Sequence, residues 1–280
     1  MKLLMLTHRF PYPPNRGDCI RAWGELEYLA KRHDVWLACV DRTEPRPEHL
    51  AKVKSVCRDV KLAVRSGAGC LLTGGISLLR GESLTAGYFG DARLRAAIQE
   101  WSERIGFYAV LTFSSAMASY AELVDAPRRV LDINDVDSFQ WQLLADHSAH
   151  PAAWLYGLEA KRLAAMEIAA ARTHDVCLMV NERGRRKLME LADPKCAAVV
   201  RTGLDLARYP VDGAAPQRGA KPIVGIIGSM SYAPNVRAVN WFGRHVWPVV
   251  KEREPRAEWL IVGSRPVRSV RRWGRLPGVH

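Results

Sequence analysis

Four stretches of the chain hold side chains with chemical potential. The first, His8-Arg9-Phe10-Pro11-Tyr12-Pro13-Pro14-Asn15-Arg16-Gly17-Asp18, is long and proline-stiffened, and it follows an apolar run. Gly17 lies where a helix should begin, with Arg21 one turn on. A helix N-terminus offers free N–H groups and a positive dipole end, and a glycine there lets a phosphate or sugar come close. The alternative is a turn that merely needs a glycine. The loop lacks Gly-x-Gly-x-x-Gly spacing and a Walker Lys-Ser/Thr, so dinucleotide and P-loop assignments fail. The second stretch, Ser114-Ser115-Ala116-Met117, opens a helix, and Ser114 reads first as its N-cap. The third is Asp132-Ile133-Asn134-Asp135-Val136-Asp137-Ser138, whose three carboxylates can bind a hydroxyl, stabilise a cationic transition state or hold a metal. Asp137 can also simply cap the next helix, while Asp135 is the candidate catalytic group. The fourth, Gly225-Ile226-Ile227-Gly228-Ser229-Met230 with Pro234-Asn235, ends a strand and opens a helix. Gly228, Ser229 and Asn235 are placed to cradle a diphosphate, though Gly228 can again be a turn residue.

The elements that must position these groups alternate. Apolar runs at Lys2–Thr7, Asp34–Val40, Val60–Val64, Tyr108–Phe113, Arg129–Ile133, Asp175–Val180, Ala197–Arg201, Ile223–Ile227 and Trp259–Val262 read as strands. Helical periods fall at Gly24–Arg32, Arg93–Arg104, Tyr156–Arg172 and Arg237–Lys251. Strand and helix in turn predict an α/β fold whose mostly parallel sheet is covered on both faces, with ligands at the strands' carboxyl ends. A stretch without apolar period, Pro210–Pro222, reads as a linker between a domain over 1–209 and a partial one over 223–280. Beyond Trp259–Gly263 a short helix is predicted at Val267–Trp273, then a turn at Pro277-Gly278-Val279-His280 leading toward a further strand. The chain is therefore expected to be a truncated form.

Formal net charge is +12, with Arg far outnumbering Lys. Such a balance suits an anionic partner, whether nucleotide phosphates, a lipid surface or nucleic acid. The six cysteines are scattered without Cys-x-x-Cys spacing, which points to reduced thiols rather than a metal site. No signal-like apolar segment stands at the start, and every apolar run is interrupted well short of a membrane span. A cytoplasmic protein is the expectation, with peripheral contact at the inner membrane surface.

Taken in order, the loop Pro11–Asp18 with Arg21, the pattern Leu131–Ser138, Thr202-Gly203-Leu204-Asp205, and Gly228-Ser229-Met230 with Pro234-Asn235, Trp241-Phe242 and Trp247-Pro248 resemble glycosyltransferase family 4. More closely, they resemble the subgroup encoded beside PEP-CTERM and exosortase exopolysaccharide loci. The resemblance implies a GT-B fold of two Rossmann-like domains facing across a cleft, the second incomplete here. It also implies retaining transfer of a sugar from a nucleotide diphosphate donor to a glycan or lipid-linked acceptor, with no cofactor and no essential metal. By the same resemblance Gly17 faces donor phosphate and acceptor, Asp135 lies near the transferred sugar, and Gly228, Ser229 and Asn235 face the diphosphate. Two departures stand out. Met230 and Asn235 neighbour the positions where many members place an Arg and a Lys, and the Glu-containing segment for donor sugar and ribose does not occur, so the chain alone is expected to be inactive. The competing readings are a sugar-nucleotide epimerase on the same fold, with carboxylates and a His as acid and base, and a basic, non-catalytic binding protein. The lack of an aromatic-basic recognition motif counts against nucleic acid.

Overall fold

A strand that is apolar on both faces must be covered on both faces. Leu3, Leu4, Met5 and Leu6 meet that condition in β1 (Lys2–Thr7), where all four are buried. Their alternation divides the core. Leu4 and Leu6 join Ala38, Val40, Ile98, Trp101 and Val110 on one face, while Leu3 and Met5 join Trp23, Leu26, Val35 and Leu37 on the other.

The computed structural model describes residues 1–206 and 221–280. The chain divides into two compact units, Met1–Arg208 and Tyr209–His280. In the first, β1, β2 (Asp34–Asp41), β3 (Asp59–Val64), β4 (Ala109–Phe113), β5 (Arg128–Asp132), β6 (Val176–Met179) and β7 (Ala197–Val199) form one seven-stranded sheet in the order β3-β2-β1-β4-β5-β6-β7. Every pairing is parallel. The helices between them are α1 (Gly17–Ala30), α2 (Pro47–Lys54), α3 (Gly67–Leu79), α4 (Leu84–Phe89), α5 (Ala92–Arg104), α6 (Ala118–Ala121), α7 (Asp137–Asp146), α8 (Ala152–Thr173) and α9 (Glu182–Ala192). A third cluster, with Leu131, Ile133, Ala170, Cys177, Met179 and Leu188, closes the β5-β6 side.

In the second unit β8 (Ile223–Ile227) pairs in parallel with β9 (Glu258–Val262). Three helices pack there: α10 (Ala233–His245), α11 (Trp247–Arg253) and α12 (Arg268–Arg271). Their core gathers Met230, Val239, Trp247, Trp259, Val270 and Val279, and Val279 itself bridges in parallel to Trp259. The predicted linker at 210–222 lies, except for its last two residues, outside the described residues.

Several helix bounds differ from the periodicity. α1 begins at Gly17, as the loop reading expected, although the apolar period shows only from Gly24 because its inward face includes Arg21, a charge that hides the repeat. Arg237–Lys251 is two helices that meet at Val246, since Pro248 can donate no hydrogen bond to the preceding turn. The predicted helix at Val267–Trp273 is the single turn of α12 followed by a 3-10 turn at Trp273–Arg275.

Candidate functional site

The sheet order reverses its direction of winding between β1 and β4, and in an open α/β sheet the carboxyl ends at that point diverge to leave a crevice. The loop after β1 fills its floor. The His8 ring stacks on Phe113, the last residue of β4, at 5.8 Å between centroids, and meets Phe89 edge-on at 5.7 Å. Asp18, in the first turn of α1, draws three cation-forming groups together. Its Oδ2 lies 3.2 Å from Arg9 Nε and 3.8 Å from His8 Nε2, and its Oδ1 lies 3.1 Å from Arg16 Nε. Burial works against the Asp18 charge, but Arg16, His8 and Arg9 hold its carboxyl below the usual range. Burial, reinforced by the Arg9 charge and opposed by Asp18, brings His8 down to about 4. His8 is therefore a neutral imidazole near pH 7, and its buried Nδ1 has no hydrogen-bond partner. Thr7, Pro11, Cys19 and Ala22 complete one small cavity around these groups. His8 and Arg9 also line a second, with Asp41, Arg42, Cys70 and Tyr88. Asp41 accepts from the Phe10 N–H at 3.0 Å and so anchors the loop's start.

Gly17 is the exposed first residue of α1. A Cβ there would meet nothing within 4 Å, and its φ is not left-handed, so the turn demands no glycine. Arg21 departs from its expected role as a substrate-binding cation. It is buried, its Nε donates to Asp132 Oδ2 at 2.6 Å, and its Nη1 donates to the Val200 carbonyl at 2.5 Å. Glu25 Oε1 stands 3.1 Å from the same Nε. The guanidinium is thus held inside the fold, where it ties α1 to the ends of β5 and β7, although its buried Nη2 has no hydrogen-bond partner. Burial, with the Asp132 charge and a hydrogen bond to Asp132 adding to it against Arg21, raises Glu25 to about 9. A protonated Glu25 is then a donor toward the Asp132 carboxylate.

Ser114 follows β4 with φ +75°, in the left-handed region, and its N–H donates to the Asp132 carbonyl at 2.8 Å. Its hydroxyl accepts from the Ala116 N–H at 3.4 Å, so the expected capping role is present. A non-glycine residue in such a conformation stores strain of the kind that clusters at ligand sites.

Asp135 and Asp137 belong to a neighbouring acidic group past the end of β5. Burial raises Asp135 against the pull of Lys187. Asp137, at the start of α7, is exposed at the surface like Asp135, although the desolvation of its carboxyl beneath that surface and the Asp135 charge push it up to about 6. Glu167 of α8 lies beneath and accepts from Ser138 Oγ at 2.5 Å. Burial, opposed by Ser138 and reinforced by Asp137, lifts it to about 7. Two carboxyls that titrate near neutrality are suited to proton transfer. Among the described residues no His, Cys, Asp and Glu cluster is arranged to hold a metal.

In the second unit, Gly228, Ser229 and Asn235 are brought together. Asn235 Nδ2 donates to the Ser229 carbonyl at 3.0 Å and packs so closely over Gly228 that a Cβ would stand 2.5 Å from it. A larger residue at Gly228 would have to displace the asparagine side chain. Asn235 lies in the first turn of α10, where N–H groups face outward.

His8, Arg9 and Asp18 carry more of the site's electrostatics than any residue singled out from the sequence. The signal for them was position alone, since all three lie just past or across from the end of a buried strand.

No protein-family model matches the sequence, and no curated protein does. Solved structures do match. TarM of S. aureus, in complex with fondaparinux, alpha-GlcNAc-glycerol and UDP, is 9% identical with a TM-score of 0.55, over 100% of this chain and 76% of that one. UGT2 of Phytolacca americana, complexed with UDP-2fluoro-glucose and pterostilbene, is 13% identical with a TM-score of 0.50, over 93% and 71%. A putative UDP-N-acetylglucosamine 2-epimerase from Listeria monocytogenes is 12% identical with a TM-score of 0.50, over 100% and 68%. At these identities the likeness establishes architecture: the chain has an α/β fold of the GT-B glycosyltransferase type with a Rossmann-like parallel sheet.

Proposed function

We propose that this protein is a retaining glycosyltransferase that moves a sugar from a nucleotide diphosphate donor onto a glycan or lipid-linked acceptor. Its setting would be exopolysaccharide assembly at the cytoplasmic face of the inner membrane. The observation that carries the proposal is the crevice at the β1-β4 reversal of a GT-B fold, where helix N–H groups, a neutral His8 and a strained Ser114 converge. The nucleotide-bound neighbours support a nucleotide-linked donor. Catalysis would come from holding donor and acceptor in line and from N–H dipoles that stabilise the departing diphosphate. Gly17 would let the acceptor or phosphate close on α1, and Gly228, Ser229 and Asn235 would take the diphosphate in the second unit. Asp135, the expected catalytic group, and Asp137 would handle the acceptor hydroxyl's proton.

The test is UDP release from UDP-sugars with glycan and polyprenyl-phosphate acceptors, on a form extended through a complete second domain, since the chain alone is expected to be inactive. Asp137→Asn should lower kcat by about 10²–10⁴-fold with donor KM little changed. Turnover unchanged in both Asp135→Asn and Asp137→Asn would remove the carboxylates from the mechanism. The His8–Asp18 pair also favours a second reading, sugar-nucleotide epimerisation, in which an imidazole and carboxylates exchange a proton with the sugar ring. Acceptor-independent inversion of a UDP-sugar, with solvent deuterium incorporated, would select it.

A further inference from the structure

α3 is inverted. Its buried residues are Cys70, Gly74 and Ser77, small or polar side chains that pack on α4. The approach is close enough that a Cβ on Gly87 would strike Thr73 and Ser77. The large apolar side chains point the other way, with Leu71 66%, Leu72 67%, Ile76 40% and Leu79 90% exposed. Together with Ala68 and Gly75 these positions recur at three- and four-residue intervals and share one face of the helix. The result is an apolar strip of four large side chains exposed in one piece, of the kind that marks an interaction surface.

Cations bracket the strip. The Arg42 guanidinium lies over Gly67 at its N-terminal end. Arg80 is exposed at its C-cap, and Arg162 donates to the Leu78 carbonyl at 2.5 Å and the Glu82 carbonyl at 3.1 Å. The nearby Glu82 carboxylate is turned onto the buried Ser77 hydroxyl at 3.0 Å. An apolar face with cations at its ends matches an interfacial helix on an anionic surface. A second copy fits worse. The strip's like-charged ends would oppose each other across a two-fold contact, in which the same patch meets itself. At 13 residues α3 is too short to cross a bilayer.

We propose that α3 docks this protein flat on an anionic phospholipid surface, with Leu71, Leu72 and Leu79 among the acyl chains and Arg42 and Arg80 at headgroup phosphates. The proposal does not depend on the sugar-transfer reading. The test is co-sedimentation of the full chain with phosphatidylcholine vesicles, with and without about 30% phosphatidylglycerol. Wild type should bind the anionic vesicles far better than the neutral ones, and release as salt rises. Leu72→Ser combined with Leu79→Ser should lower partitioning about tenfold or more while circular dichroism stays native, because both positions are mostly exposed. In Leu79→Trp, emission of the introduced indole, isolated by difference from wild type, should shift to the blue only with anionic vesicles. Absence of wild-type binding, equal binding by the double variant, or an unshifted Leu79→Trp spectrum would overturn it. So would a dimer in sedimentation equilibrium that the double variant abolishes, since the face would then belong to a second copy.

Discussion

At the scale of single residues, the decisive group is the buried pair of Arg21 and Asp132 with the partly buried Glu25 beside it. One cation faces two carboxyls, and the fold resolves this by leaving a proton on Glu25. Removing one member of the buried pair strands the other in a low-dielectric interior. Asp132→Ala should therefore cost about 3–5 kcal/mol in urea denaturation, far more than an exposed pair such as Arg185–Glu182. Glu25 makes a separate prediction about pH. Its folded value lies near 9 against the usual 4.5, so the folded state holds a proton that the unfolded chain releases in between. Its contribution to stability is complete below about 4.5 and is lost as pH rises toward 9. Glu25→Gln should flatten that decline, as read from wild-type and variant melting temperatures across the interval. Parallel pH profiles would show that Glu25 is already ionised.

Two helices owe their beginnings to one other. The buried Glu159 of α8 accepts from the Leu84 N–H at 2.6 Å, the Thr85 N–H at 3.0 Å and the Thr85 hydroxyl at 2.7 Å, and so satisfies the first turn of α4. Eight residues along, Glu167 does the same for α7 through Ser138. A carboxylate at a helix start also gains from the macrodipole. Glu159→Gln should cost about 1–3 kcal/mol, because it turns an amide donor toward groups that are all donors. Glu167→Gln should cost less, since burial already leaves Glu167 near half protonated at neutral pH. Equal losses in denaturation would contradict this ranking. These caps also explain what was legible in the sequence and what was not. Parallel strands here are runs of apolar residues whether buried or, as in β3 and β8, partly exposed, so the nine among the described residues announced themselves to within a residue or two. Helices announce themselves by an apolar stripe facing the core. α8 was legible over Tyr156–Arg172 despite two inward glutamates, whereas α2, α3, α4 and α9 were not singled out, α3 because four glycines dilute its apolar period. At the site, topology brought Ser114 and the Gly17 loop to one crevice as the alternation implied. The burial that makes His8 neutral and holds Arg21 inside the fold is long-range packing, which no local spacing encodes.

The molecule as a whole is two units, each with its own core, and they are unequal. The first closes three clusters around seven strands. The second closes one cluster against two paired strands, with Ile223, Ile227 and Val262 of those strands facing solvent. A single small core supplies little margin, on the order of 5 kcal/mol for a unit of this size. Most of that margin is aromatic. Trp259 is fully buried, with ring centroids 4.9 Å from Phe242, 5.7 Å from Trp247 and 5.9 Å from Trp273. Replacing a buried Trp by Ala costs about 3–5 kcal/mol, which is comparable to the whole margin. Urea denaturation of the wild type, followed by tryptophan fluorescence, should therefore show two phases, the earlier belonging to residues 221–280. Trp259→Ala should abolish the earlier phase and leave the later midpoint in place, because the seven-stranded sheet keeps its three clusters. Far-ultraviolet circular dichroism of the variant should retain most of the wild-type helix signal, since α1 to α9 all lie in the first unit. A single transition that moves as a whole on Trp259→Ala would show instead that the two cores unfold as one cooperative body.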